Sequence, residues 1–226
     1  MMYENTKIAK FHQRPNRFIA HVEVDGKMEI AHVKNTGRCK ELLIPGVEVV
    51  VQKAENPERK TPYTLLSVWK GEQLINMDSS APNKVFGKYL QEGKHIKGIT
   101  HIKPEAKWGS SRFDFYVEAG KEKILIETKG VTLEENGFAL FPDAPTQRGV
   151  RHIEELIRYT EEGGRAQLVF IVQMKGVSAF APNNKTHKAF GDALVAAKKA
   201  GVSLFAYDCV VTEGDLVIDQ RLTIHL

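Results

Sequence analysis

The chain has 226 residues, 42% of them hydrophobic and 27% charged, a balance that excludes disordered, collagen-like and coiled-coil chains and allows one or two folded cores. Its formal net charge of +4 and pI of about 8.9 suit an anionic partner without demanding one. Cys39 and Cys209 are far apart with no CxxC or nearby His pattern, which excludes a disulfide framework and a zinc cluster. The first segment lacks an unbroken apolar signal core, and no stretch approaches the roughly 18 apolar residues of a membrane span, so the expected location is cytoplasmic, with no membrane partner.

In chain order, the first eighty residues read as short strands. Phe18–Val24 and Met28–Val33 flank Asp25-Gly26, a strong hairpin turn signal. After the turn-forming Asn35-Thr36-Gly37 come Pro45-Gly46, a strand at Val47–Val51 and another at Tyr63–Trp69. This predicts a small β-barrel of the OB type. Pro82 and Asn83 then open an amphipathic helix with Val85, Phe86, Tyr89 and Leu90 on one face, ended by Gly93. A domain break is expected near residue 80, giving domains 1–80 and 81–226.

Beyond it the pattern is strand (Phe113–Val117), strand (Ile124–Thr128), helix (Gln147–Glu162), strand (Gln167–Gln173), helix (Thr186–Ala200) and strand (Ser203–Tyr207). Helices alternating with strands after an initial hairpin predict an α/β domain with a mixed sheet, so the two-domain chain is α+β overall. On the helix from Gln147, Val150, Ile153, Leu156 and Ile157 form the expected buried stripe, and Asp143 or Thr146 caps its start. Arg148, Arg151 and His152 are left near the first turns, where phosphate could be met. The alternatives are a solvated helix face for Arg151 and, for His152, the commoner role of a hydrogen-bonded structural residue rather than a ligand or base.

The chemistry concentrates in residues 111–130. Strand alternation puts Arg112, Asp114 and Tyr116 on one face of the first strand and Leu125, Glu127 and Lys129 on one face of the second. Gly120-Lys121 suits a type II′ two-residue turn, which pairs Ala119 with Glu122 and sets Asp114 opposite Glu127. Two carboxylates about 5 Å apart repel unless a cation sits with them. Mg²⁺ or Mn²⁺ takes oxygen ligands of this kind, and Lys129 could orient water or offset charge on a phosphate. Thr128 turns its side chain away, but its backbone carbonyl could reach the ion. The alternative is an exposed Asp–Glu–Lys ladder worth under about 1 kcal/mol. Loops for other chemistries are missing: there is no GxxxxGK[ST], GxSxG, HExxH or GxGxxG, so no small-molecule cofactor is expected.

Arg112-Phe-Asp114 followed by Glu127-Thr-Lys129 and a helix resembles the PD-(D/E)XK nuclease fold. Together with Asn35-Thr36-Gly37, Glu105-Ala-Lys107-Trp-Gly109, Gly130-Val-Thr-Leu133, and Phe141–Gly149 with His152, it resembles the SfsA family, named for sugar fermentation stimulation. The resemblance implies an N-terminal OB-like barrel, a PD-(D/E)XK-like second domain and DNA, single- or double-stranded, as partner. By motif, Asp114 and Glu127 would be metal ligands, Lys129 the catalytic lysine, and Glu105 an added acidic ligand or else a solvated loop residue. Phe113 stands where the nuclease signature has Pro. Arg38, Lys40, Lys107, Arg112, Arg148 and Arg151 are the cations expected on nucleic acid, with Phe11, Phe18, Tyr63 and Trp69 as stacking or core residues. A non-enzymatic, largely sequence-nonspecific DNA-binding protein with a regulatory role in sugar metabolism is the alternative.

Overall fold

The structure is a computed structural model that describes every residue except Thr36 and Arg38. It divides into two compact units. The first holds Met1–Ala81, Gln173–Gly176 and Cys209–Val217, and the second holds Pro82–Val172, Val177–Asp208 and Ile218–Leu226.

In the first unit the strands are β1 (Thr6–Asn16), β2 (Ile19–Val24), β3 (Lys27–Val33), β4 (Glu48–Lys53), β5 (Tyr63–Lys70) and β6 (Gln73–Asn76). They run in the order β3-β2-β1-β4-β5-β6, and an added β3–β5 pairing closes five of them into the expected OB-like barrel. The β2–β3 turn has positive φ at both Asp25 and Gly26, the type I′ geometry that keeps strand twist continuous. Closure leaves Phe11, Val22, Val33, Val49 and Leu65 almost wholly buried. The later segments join this unit through hydrogen bonds. Asn76 N–H donates to the Gln173 carbonyl at 2.9 Å, and the Gly214 carbonyl accepts from Met2 and Tyr3 at 3.1 and 3.0 Å.

Helix α1 (Ala81–Gln91), which belongs to the second unit from Pro82 on, is closed by Gly93 at φ +62°. Then follow β7 (Ile99–Trp108), β8 (Ser111–Ala119), β9 (Glu122–Val131), β10 (Leu133–Glu135), β11 (Phe138–Phe141), α2 (Gln147–Glu161), β12 (Arg165–Val172), β13 (Ala179–Pro182), α3 (Asn184–Lys199), β14 (Ser203–Val211), β15 (Leu216–Arg221) and β16 (Thr223–Ile224). The main sheet is mixed, in the order β15-β14-β12-β9-β8-β7. β7, β8 and β9 pair antiparallel, and β9, β12 and β14 pair parallel. A small second sheet orders β10-β11-β13-β16. The expected fold class, an OB-like barrel followed by an α/β domain with a mixed sheet, is thus the observed one.

β9 lies mid-sheet, and residues 124–128 are all buried, as an inner strand covered on both faces requires. On α2 the buried residues are Gly149, His152, Ile153, Glu155 and Leu156, with Val150 and Ile157 only half-buried. The stripe is therefore turned toward His152 and Glu155 relative to the sequence expectation. Gly149 is what lets the helix start fit, since a Cβ there would lie 2.9 Å from Thr146 Cγ2 and 3.2 Å from Phe190. Thr146, rather than Asp143, is the N-cap and accepts from Gly149 N–H at 3.0 Å. No helix among the described residues is long and apolar enough to cross a membrane.

Candidate functional site

The β8–β9 hairpin forms as its turn residues require. Gly120 has φ +61° while Lys121 does not turn positive, and the register runs from Ala119↔Glu122 to Phe115↔Ile126. The paired register stops there, one step short of Asp114 and Glu127, and side chains take over. Thr128 N–H donates to Asp114 Oδ2 at 2.7 Å, and Thr128 Oγ1 lies 2.7 Å from the same oxygen. Thr128 therefore does not turn its side chain away. Where β8 parts from β9, its hydroxyl and N–H both close on the Asp114 carboxylate. Asn83, two residues into α1, completes the grip by donating to Asp114 Oδ1 at 2.6 Å, with its own Oδ1 against the Thr128 hydroxyl.

Glu127 is held from the other direction. Its Oε1 accepts from Lys129 Nζ and from His152 Nδ1, the latter at 2.6 Å. Glu127 is 4% exposed, and its Oε2 is buried with no hydrogen-bond partner. Leaving a buried carboxylate oxygen unpaired costs about 1–3 kcal/mol or more, so this atom, like Glu155 Oε2, is open to a further partner. Behind His152, Arg148 Nε donates to its Nε2 at 3.3 Å, making a line from Arg148 through His152 to Glu127.

The two carboxylates respond in opposite ways. Burial pushes the Asp114 carboxyl above the usual range and the nearby Glu127 charge adds to this, with the Thr128 bonds and Lys129 offsetting part. Burial acts upward on Glu127 as well, but the His152 hydrogen bond and the Lys129 charge outweigh it and hold that carboxyl below the usual range. One site thus contains an easily ionised acid beside a reluctant one, a pattern found where chemistry is done.

Other expected residues fall elsewhere. Glu105 lies not in a loop but on edge strand β7, where its side chain is 75% exposed and pairs with Arg112 at 3.3 Å. The β7–β8 register sets Glu105 level with Asp114, but its side chain bonds Arg112 and joins no cluster of three metal-ligating side chains among the described residues. Among the described residues no group of three or more His, Cys, Asp and Glu side chains is arranged to hold a metal. Lys107 pairs with Arg112 across β7 and β8, and both are exposed, as are Arg148 and Arg151 on the first turns of α2. Lys40 is exposed on a turn of the first unit, and Arg38 lies outside the described residues. Of the four stacking candidates, Phe11 and Tyr63 are core, Trp69 is half-buried, and Phe18 is exposed with the Arg17 guanidinium 5.7 Å from its ring centre.

Asn83 and the Thr128 hydroxyl are the residues that sequence reasoning misses, and no periodic signal marks either. His152 had a signal, since it falls one position before Ile153 on the buried stripe. A polar residue there must find a buried partner.

The chain matches two family models: one described as "Sugar fermentation stimulation protein RE domain" over residues 80–215, the other as "SfsA N-terminal OB domain" over residues 13–77. It is 55% identical over 226 residues to a sugar fermentation stimulation protein homolog of Ruminiclostridium cellulolyticum, covering all of both chains. A homolog of the same description from Desulfitobacterium hafniense is 56% identical, with 100% of this chain and 99% of that one covered. Among solved structures, Pyrococcus furiosus SfsA, described as a complex with Ca²⁺, superposes with a TM-score of 0.91. It is 32% identical, with 100% of this chain and 98% of that one covered.

Proposed function

We propose, from the premise that the chain belongs to the SfsA family of sugar fermentation stimulation proteins, that it is a DNA-binding, divalent-metal-dependent phosphodiesterase acting in the cytoplasm. The observation that carries this is the buried, partnerless Oε2 of Glu127 beside the Asp114 carboxyl, whose charge is disfavoured without a cation. All donors are oxygens, which suits Mg²⁺ or Mn²⁺. The Ca²⁺ in the Pyrococcus furiosus structure supports a divalent ion in the family. Asp114, Glu127 and the Thr128 carbonyl would hold it, and when bound it would polarise a phosphate and lower the pKa of water.

The rest is done by the chain. Asn83 and Thr128 fix the Asp114 carboxylate, so it need not reorganise when charge develops nearby. Lys129, its side chain 16% exposed, can turn its ammonium from Glu127 to a phosphate or water, because His152 still holds Oε1. Arg148 and Arg151 at the start of α2, with Lys107 and Arg112 at the β7–β8 end, offer charge to the DNA backbone, and Lys40 is a further exposed cation. Arg112 gives up only an exposed pair with Glu105, worth under about 1 kcal/mol, to do so.

One observation favours a binding-only reading with a regulatory role in sugar metabolism: the Lys129 ammonium already pairs with Glu127, and His152 hydrogen-bonds the same oxygen, with no cation present. Cleavage of labelled single- and double-stranded DNA with Mg²⁺, Mn²⁺ or EDTA separates the two. The expected result is metal-dependent cutting that falls at least about 100-fold in Asp114→Ala and Lys129→Ala. Salt-sensitive binding without cutting under any metal would leave the binding-only reading, and no binding at all would sink both.

A further inference from the structure

α2 buries two polar side chains about one turn apart, His152 and Glu155, and His152 ends on the candidate site. Resting on the metal-site reading above, we infer that His152 is a positioning residue: it sets the Glu127 carboxylate so that Oε2 faces the cation, and Arg148 fixes the imidazole tautomer that lets it do so. A guanidinium can only donate, so Nε2 of His152, 3.3 Å from Arg148 Nε, must accept. The ring proton then sits on Nδ1 and is given to Glu127 Oε1 at 2.6 Å. With both ring nitrogens engaged, His152 has no lone pair left to be a ligand itself. The ring is 4% exposed and packs 5.6 Å from the Phe113 ring, so neither it nor the carboxylate it holds has room to turn.

The same arrangement explains why Glu127 keeps one oxygen without a partner while the other has two. Lys129 alone would not hold the carboxylate. An ammonium on a flexible stem accepts many geometries, whereas a planar ring pinned at its far nitrogen accepts one.

The test is calorimetric titration of Mn²⁺ into the full-length protein without DNA, so that no turnover is involved. Wild type is compared with His152→Phe, which keeps the ring against Phe113 but removes both nitrogens. It is also compared with His152→Asn, whose side-chain N–H falls near the place of Nδ1, and with Asp114→Ala as site control. Far-UV circular dichroism checks that each variant is folded. Loss of an outer-shell partner typically weakens metal binding about 10–100-fold, so His152→Phe should fall in that range while His152→Asn returns to within about 3-fold of wild type. Should His152→Phe fail to fold, Arg148→Ala, a change at an exposed side chain, serves in its place and should also weaken Mn²⁺. Wild-type affinity in His152→Phe or in its substitute, or equal loss in the Phe and Asn variants, overturns the inference while leaving the metal site standing. A wild-type protein that binds no Mn²⁺ removes the site reading and this inference with it.

Discussion

The side chains that hold Asp114 are not those a motif would name. Thr128 contributes both an N–H and a hydroxyl to one carboxylate oxygen, each at 2.7 Å, while Asn83 takes the other. Replacing Thr128 with Val keeps the β-branch that suits a strand and removes only the hydroxyl. The expected effect is a loss of about 1 kcal/mol in urea unfolding, the usual worth of one hydrogen bond, with Thr128→Ser restoring it. An unchanged midpoint in the Val variant would show that the hydroxyl contact is idle. This scale also marks what was legible in the chain. Asp114, Glu127 and Lys129 follow from period-two alternation and a two-residue turn, both local. The Thr128 hydroxyl, Asn83 and the His152 contact depend on where β8 leaves β9 and how helices rotate over the sheet, which only tertiary packing decides.

Among elements, the same division holds. α1, α2, α3 and the inner strands β8, β9, β12 and β14 are read from sequence to within a few residues at most ends because their burial is periodic or continuous. Edge strand β7 is missed because it has one neighbour, carries Pro104 and buries only Ala106. β1 is hidden by exposed Lys7, Lys10 and Gln13 and by register shifts in its pairing. β10 and β11 flank Asn136-Gly137, both with positive φ, so their turn signal was present and passed over. After α1, His95 joins two of the inner strands: its Nε2 lies 2.7 Å from Gln167 Oε1 on β12 and its Nδ1 2.8 Å from Tyr207 Oη on β14. A neutral ring satisfies both, donating to Gln167 and accepting from Tyr207. Burial holds the His95 pKa below the ordinary value, with the Gln167 bond opposing and Arg221 reinforcing that shift. Between the ordinary histidine value near 6.5 and the depressed folded one, the unfolded chain binds a proton that the folded chain refuses. This group's stabilisation is thus complete above about 6.5 and is lost as pH falls through the folded value. Melting temperatures at about pH 7.5 and about pH 5.5 should show a smaller acid-side drop in His95→Gln than in wild type, and an equal drop in both would refute the assignment.

For the molecule as a whole, the two units were expected from a change in pattern near residue 80, yet the first unit also recruits Gln173–Gly176 and Cys209–Val217. Those additions rest on hydrogen bonds such as Gln173 Nε2 to Asn76 Oδ1, which link residues 97 positions apart and leave no local trace. Net charge is likewise a property of the whole chain, and at +4 it is too small for a diffuse field to hold DNA strongly. On the proposed DNA-binding reading, affinity would come from cations that meet phosphates directly, each such contact releasing condensed counterions. The logarithm of the binding constant should fall linearly with the logarithm of salt concentration, by about 0.9 per phosphate neutralised on duplex DNA. Measured with EDTA present between about 50 and about 200 mM salt, the slope should drop by about 1 to 2 in an Arg148→Ala/Arg151→Ala double variant, because two exposed cations on one helix end would be gone. A double variant that keeps the wild-type slope would move the DNA contact away from α2, toward the β7–β8 end or the barrel. A wild-type slope near zero would leave DNA binding of either kind without its physical basis.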